Sequence, residues 1–213
     1  MSLLTNCRIL VGVTIGIALS ATHSSHAATS PDYVMDVQMV PAVCSLHPDY
    51  AKKRKCLEGY SLNISGLFPE TTSDDCTTTS SAKLPPLQAK VVARVMPDEK
   101  ARILLWRNIG GCIPMNATQY FRTIINYADR LKVPHELTEQ GTVVLSMDSL
   151  RNKFLKINPK LNTHAIRFNC HKTREGSLLT AVKVCFKNNG QYKQCPTNIV
   201  NTCPKNVTIK GTY

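Results

Sequence analysis

The side chains in this chain that can move protons, bind metal or hold a polyanion are few and scattered. Beyond residue 27 the histidines are His47, His135, His164 and His171. An imidazole titrates near neutrality and works as a general acid or base when a partner stands beside it. None of these four stands in a recognisable catalytic spacing. A Ser–His–Asp set has no nucleophile-elbow motif behind it. With no CxxC pair and no clustered histidines, the sequence gives no zinc site, and it predicts neither metal nor cofactor. The densest charge is Lys52-Lys53-Arg54-Lys55, a run suited to phosphate contacts whose plainer reading is a solvated surface.

The cysteines carry a different message. Cys7 precedes an apolar stretch, Ile9 to Ala21, with Arg8 before it and Ser25-His26-Ala27 after it. This is the pattern of an export leader over residues 1–27, too short to span a bilayer. The remainder, 28–213, is long enough for one domain with a sizeable core. It holds Cys44, Cys56, Cys76, Cys112, Cys170, Cys185, Cys195 and Cys203. An even set in an exported chain reads as four disulfides, with 105 pairings open. Cys185 and Cys195 flank the hairpin signal Asn188-Asn189-Gly190, and Cys44 and Cys56 bracket a short polar loop. The full chain carries a formal charge of +12. A strongly basic exported protein meets polyanions such as RNA, anionic lipid or sulfated glycans. No later stretch is apolar enough to span a membrane.

Two stretches are candidates for positioning a site. In Tyr60 to Pro69, Leu62 and Ile64 alternate with Ser61, Asn63 and Ser65, which predicts a half-buried strand that breaks at Gly66 and Pro69. In Leu104 to Cys112, the residues Leu104, Leu105, Trp106 and Ile109 precede Gly110-Gly111, which predicts a helix end. Around them, Leu87 to Val95 and Asp98 to Ile109 read as helices, with Asp98 as N-cap of the second. Asn116 and Gln119 form a capping-box spacing before the apolar face Phe121, Ile124, Ile125, Ala128 and Leu131, closed by Pro134. Met147 to Ile157 reads as another helix. Thr77 to Ser81 falls in a long surface loop. Strands are predicted at Ala165 to Cys170, Leu178 to Phe186 and Gln191 to Cys195, with an edge strand at Asn206 to Lys210. Helices in the middle and strands around them give an α+β class with an antiparallel sheet.

Those two stretches resemble the signature blocks of the ribonuclease T2 family, the secreted acid endoribonucleases. The first block, Ile-His-Gly-Leu-Trp-Pro, stands here as Ile64-Ser65-Gly66-Leu67-Phe68-Pro69. The second, His-Glu-Trp-x-Lys-His-Gly-Thr-Cys, stands as Leu104-Leu105-Trp106-Arg107-Asn108-Ile109-Gly110-Gly111-Cys112. The resemblance runs from about Val40 to Cys203. It implies the ribonuclease T2 fold and the pairs Cys44–Cys56, Cys76–Cys112, Cys170–Cys203 and Cys185–Cys195.

In the family, one histidine takes the ribose 2′-hydroxyl proton and another protonates the leaving 5′-oxygen, while Glu and Lys stabilise the charged phosphorane. Carried across, those positions hold Ser65, Leu104, Leu105, Asn108 and Ile109. A serine without an adjacent base does not act as a base near neutrality, and leucine and isoleucine exchange no protons. The resemblance therefore implies a degenerate ribonuclease with an apolar former active site. Phe68 stands where the family has a tryptophan beside the base and retains a stacking face. Lys52, Lys53, Arg54 and Lys55 would supply phosphate contacts. Three classes of function follow: a non-cleaving binder of RNA, nucleotides or another macromolecule; an active endoribonuclease with a non-standard catalytic set; and a secreted effector that docks a protein on the apolar cleft. Oligomeric state is not legible.

Overall fold

The structure is a computed structural model that describes residues 31–70 and 75–212, so the expected leader at 1–27 lies outside the described residues. The chain opens with β1 (Tyr33–Met39), in which buried Tyr33, Met35, Val37 and Met39 alternate with Val34, Asp36 and Gln38. It runs directly into α1 (Val40–Leu46), where Pro41 sits in the first turn. A 3-10 turn at Pro48–Tyr50 and the short α2 (Arg54–Leu57) lead to β2 (Leu62–Pro69). Then come α3 (Pro86–Ala93), α4 (Glu99–Ile109), α5 (Ala117–Arg130), β3 (Val143–Ser146) and α6 (Met147–Ile157). The remaining elements are β4 (Ile166–Thr173), β5 (Gly176–Phe186) and β6 (Asn206–Ile209).

The strands form one sheet in the order β2-β1-β5-β6-β3, with β4 also paired to β5. All pairings are antiparallel except β5–β6, which meet in parallel at Leu178 and Thr208. Apart from that single parallel pair, the sheet is antiparallel, as the α+β reading expected. The predicted edge strand at Asn206 lies inside it, because β3, not foreseen, pairs along its outer side. Gln191 to Cys195 is not a strand. After one bridge between Phe186 and Tyr192, the Cys195 N–H turns to the His164 carbonyl at 2.9 Å and Pro196 follows.

One face of the sheet carries the main core. Asn116 and Gln119 close a reciprocal capping box at the start of α5, which lays Tyr120, Phe121, Ile124 and Tyr127 onto Tyr33, Met35 and Phe186. Phe154 of α6 meets Phe168 of β4 with ring centroids 5.8 Å apart. On the other face Val34, Cys185 and Cys195 form a small satellite cluster with Ile199. The disulfides are Cys44–Cys56, Cys76–Cys112, Cys170–Cys203 and Cys185–Cys195. Asp98 precedes α4 without capping it. Its carboxylate accepts from the Arg54 backbone N–H at 2.9 Å and ties α2 to α4. Among the described residues no helix is long and apolar enough to cross a membrane.

Candidate functional site

The register of β1 against β2 locates Ser65. Asp36 faces Gly66 and Val37 faces Ile64, which leaves Ser65 opposite no residue of β1. This is a β-bulge, the one-residue insertion that re-aims a side chain within a continuing strand. The expected break at Gly66 is therefore a bulge, and β2 runs on to Pro69. The Ser65 hydroxyl donates to the Asp36 carbonyl at 3.3 Å. Gly66 lies under other side chains: a Cβ there would stand 2.7 Å from Phe68 Cζ and 3.1 Å from Leu105 Cδ1. Phe68 itself is half-buried and packed on the core.

Helix α4 supplies the other wall. Its buried stripe is Arg102, Leu105, Trp106 and Ile109, the i, i+3, i+4, i+7 spacing of one helix face. Leu105 and Ile109 are 9% and 8% exposed, whereas Leu104 is 59% exposed and Asn108 also faces solvent. The second block is therefore divided between core and surface, and Leu104 is not core. Trp106 is buried and donates its indole N–H to Ser80 Oγ at 3.0 Å. Cys76–Cys112 pins the 75–80 segment to the end of α4, helped by Gly111 N–H to the Cys76 carbonyl and Thr78 N–H to the Arg107 carbonyl, both 2.8 Å.

Asp36 is a residue that sequence reading missed. It stands between Gly66 of β2 and Lys183 of β5, the one carboxylate of β1. That anomaly in the alternation of Tyr33 to Met39 was the available signal. Burial pushes the Asp36 carboxyl up and outweighs the opposing pull of Lys183 and the Ser65 hydroxyl. Its Oδ1 is shut off from solvent and has no hydrogen-bond partner. A general base must reach the proton it removes, and an occluded oxygen does not reach a substrate. Among the described residues no three His, Cys, Asp or Glu side chains are grouped to hold a metal.

The basic run is less free than its sequence suggests. Arg54 Nε pairs with Glu58 at 2.5 Å, and Lys53 Nζ lies 3.3 Å from the centre of the Tyr50 ring. Lys55 is buried, donates to Gln38 Oε1, and has its ammonium pushed down by that burial. The expectation of four exposed cations is corrected: Lys52, Lys53 and Arg54 are exposed and Lys55 is part of the packing. The histidines lie elsewhere. His135 faces Glu136 and Glu139 at 3.2 and 3.6 Å, and His47 stacks on Tyr50 with centroids 4.8 Å apart.

This arrangement, a disulfide-bonded α+β domain with a bulged strand set against the helix of the second block, is a ribonuclease T2-like fold. Solved structures that it matches include ribonuclease MC1 from the seeds of bitter gourd, at 18% identity and TM-score 0.61 over 83% of this chain and 98% of that one. The Nicotiana alata self-incompatibility-associated SF11-RNase matches at 16% identity and TM-score 0.63, over 84% and 98%. An RNase-related protein from Calystegia sepium matches at 16% and 0.62, over 85% and 98%. No protein-family model matches the sequence, and no curated protein matches it either.

Proposed function

We propose that this is an exported protein, mature over residues 28–213, that keeps a ribonuclease T2-like scaffold without RNA cleavage and binds RNA or nucleotides. One observation carries the reading. The positions that correspond to the family's acid, base and cation hold Ser65 in a bulge, two core side chains, Leu105 and Ile109, and the uncharged, exposed Leu104 and Asn108. Each lost acid–base or electrostatic contribution is worth on the order of 100-fold or more. The four disulfides support an oxidising compartment.

For binding, ribonuclease MC1 variants are described in complex with 5′-GMP and 5′-UMP. Here the full chain's formal charge of +12, of which only Arg8 falls within residues 1–27, supports contact with phosphates that is electrostatic and weakly selective. Retention of labelled RNA on the oxidised protein at about 50 and 200 mM salt tests the reading. Retention that falls steeply with salt, with the RNA intact, is expected. Absence of retention at the lower salt contradicts it. Release of a 2′,3′-cyclic phosphate would instead establish an active endoribonuclease with a non-standard catalytic set.

A further inference from the structure

Arg102 is the misfit of α4. It occupies the buried stripe of that helix, is 6% exposed, and brings a charge into a face otherwise made of Leu105, Trp106 and Ile109. Its Nη1–H donates to the Met96 carbonyl at 2.6 Å. Among the described residues no ion pair includes it, and its Nε–H and Nη2–H have no hydrogen-bond partner. Those two groups are not shut off from solvent as Asp36 Oδ1 is. Burial pushes the guanidinium down from its ordinary value, but an arginine does not discharge in a protein. A buried charge without a counter-charge is costly, and an anion placed against it offsets that cost.

Arg102 lines a cavity of about 450 Å³ between α3, α4 and the 79–84 segment. Ser65, Leu104, Leu105 and Asn108 form no part of its wall. The wall is rich in donors. Ser80 Oγ accepts from the Trp106 indole at 3.0 Å and from the Thr78 hydroxyl at 3.1 Å, and Ser81 Oγ accepts from the Lys83 N–H at 3.1 Å. Both serines therefore keep their own hydroxyl proton to donate. Lys83 and Arg107 add two exposed cations, and Leu84 and Ile103 supply an apolar side. Glu99 is the one carboxylate on the wall. It is exposed, lies one turn before Arg102 on α4, and competes for the guanidinium without pairing with it.

Nε–H and Nη2–H lie side by side on one edge of the planar guanidinium. That parallel fork matches the two oxygens of a carboxylate. The volume falls at the lower end of small-ligand pockets, roughly 300–1,000 Å³, and with the Leu84 and Ile103 side it suits an anion carried on carbon rather than an inorganic ion. No aromatic ring lines the cavity, so it offers no stacking face for a base. We propose that this cavity, between α3, α4 and the 79–84 segment, binds a carboxylate on a short carbon body through the Arg102 guanidinium, the carboxylate coming from a free organic acid or from an acidic side chain of a peptide. The inference is independent of RNA binding and lies apart from the positions of the lost catalytic residues.

The test is titration of the oxidised protein with glutarate and, separately, with the blocked peptide acetyl-Gly-Glu-Gly-amide, followed by calorimetry and by the arginine Nε–H proton signals. The Arg102 signal, identified by its loss in Arg102→Lys, should move and saturate. Arg102→Lys keeps a cation but lacks the fork, and should weaken affinity at least about ten-fold, with all four disulfides retained in an unreduced digest. Glu99→Gln removes the competing carboxylate at an exposed position and should tighten binding about two- to five-fold; this variant decides the matter if Arg102→Lys does not fold. Whichever of glutarate and the peptide binds more tightly identifies the source of the carboxylate. Inorganic phosphate should bind more weakly than either. Four results overturn the proposal: an Arg102 signal that neither probe moves, affinity unchanged in both variants, phosphate binding as tightly as the acids, or RNA displaced by glutarate at constant ionic strength. RNA retention with no carboxylate binding would sink this site and leave the reading of the scaffold intact.

Discussion

Substituting the second block toward the letters of the ribonuclease T2 family that it resembles separates two positions adjacent in sequence. Leu105 is 9% exposed and its Cδ1 lies against the Gly66 position beside Phe68, whereas Leu104 is 59% exposed. Leu105→Glu removes about 2 kcal/mol of apolar burial and places a carboxylate in the apolar core, against the Gly66 position beside Phe68. An unpaired buried charge adds several kcal/mol, or the group binds a proton to avoid it. The expected loss is about 3–5 kcal/mol, a large share of the roughly 5–15 kcal/mol that holds a domain together. Leu104→His exchanges one exposed side chain for another and should stay within about 0.5 kcal/mol. Urea unfolding of both variants and the parent, compared at a common slope, reads the difference. Equal cost at the two positions, or a loss below about 1 kcal/mol for Leu105→Glu, would refute the assignment of Leu105 to the core. Neither variant should cleave RNA, and neither should Ser65→His, because acid and base act as a unit and single restorations do not add.

Further expectations concern the scaffold. Lys193 bridges Asp32 at 2.8 Å and Glu70 at 2.6 Å. Burial pushes the Asp32 carboxyl up, but hydrogen bonds from Lys193 and the Asn188 N–H outweigh it and hold the carboxyl below its usual range. A depressed folded-state value contributes stability that is present above the unfolded value, near 3.8, and is lost as pH falls through the folded one. Lys193→Met should therefore cost more at pH 6 than below pH 3, as measured by urea unfolding at each pH; an equal cost would remove the pair from the account. Gly111→Ala would set a Cβ 2.5 Å from the Thr77 carbonyl oxygen, where only backbone can yield. It should cost about 2–4 kcal/mol and impair Cys76–Cys112 formation on refolding, which thiol counting reads. Lys52→Ala should lower the salt dependence of RNA binding without changing stability. Lys55→Ala, at a buried position hydrogen-bonded to Gln38, should lower stability as well; equal stability effects would contradict the burial of Lys55.

Where the sequence was legible, periodicity and capping coincided. The span of α6 was read at Met147–Ile157, and the Asn116–Gln119 capping box is formed. Tyr120 and Tyr127 belong to the buried face of α5 but were passed over, because a tyrosine within a helix carries no sign of which side it faces. The strand β1 was missed although it sits between β2 and β5. Its alternation is broken by the half-buried Asp36 and by Val34, which is buried on the second face, so a single apolar side does not stand out. The bulge at Ser65 and the burial of Lys55 arise from pairings between distant segments, β1 with β2 and α2 with β1, and no local pattern encodes them. The division of Leu104 from Leu105 follows from the 100° step along α4, which a linear reading of the block does not weigh.

The measurement that bears most directly on the central claim is RNA turnover by the purified, oxidised chain of residues 28–213 across about pH 4 to 8, the range in which imidazole and carboxyl groups exchange protons. The account predicts intact RNA and no 2′,3′-cyclic phosphate at any pH, together with retention of the RNA that weakens as salt is raised. Cyclic phosphate released by the unmodified protein, and lost on replacing His47, His135, His164 or His171, would contradict it.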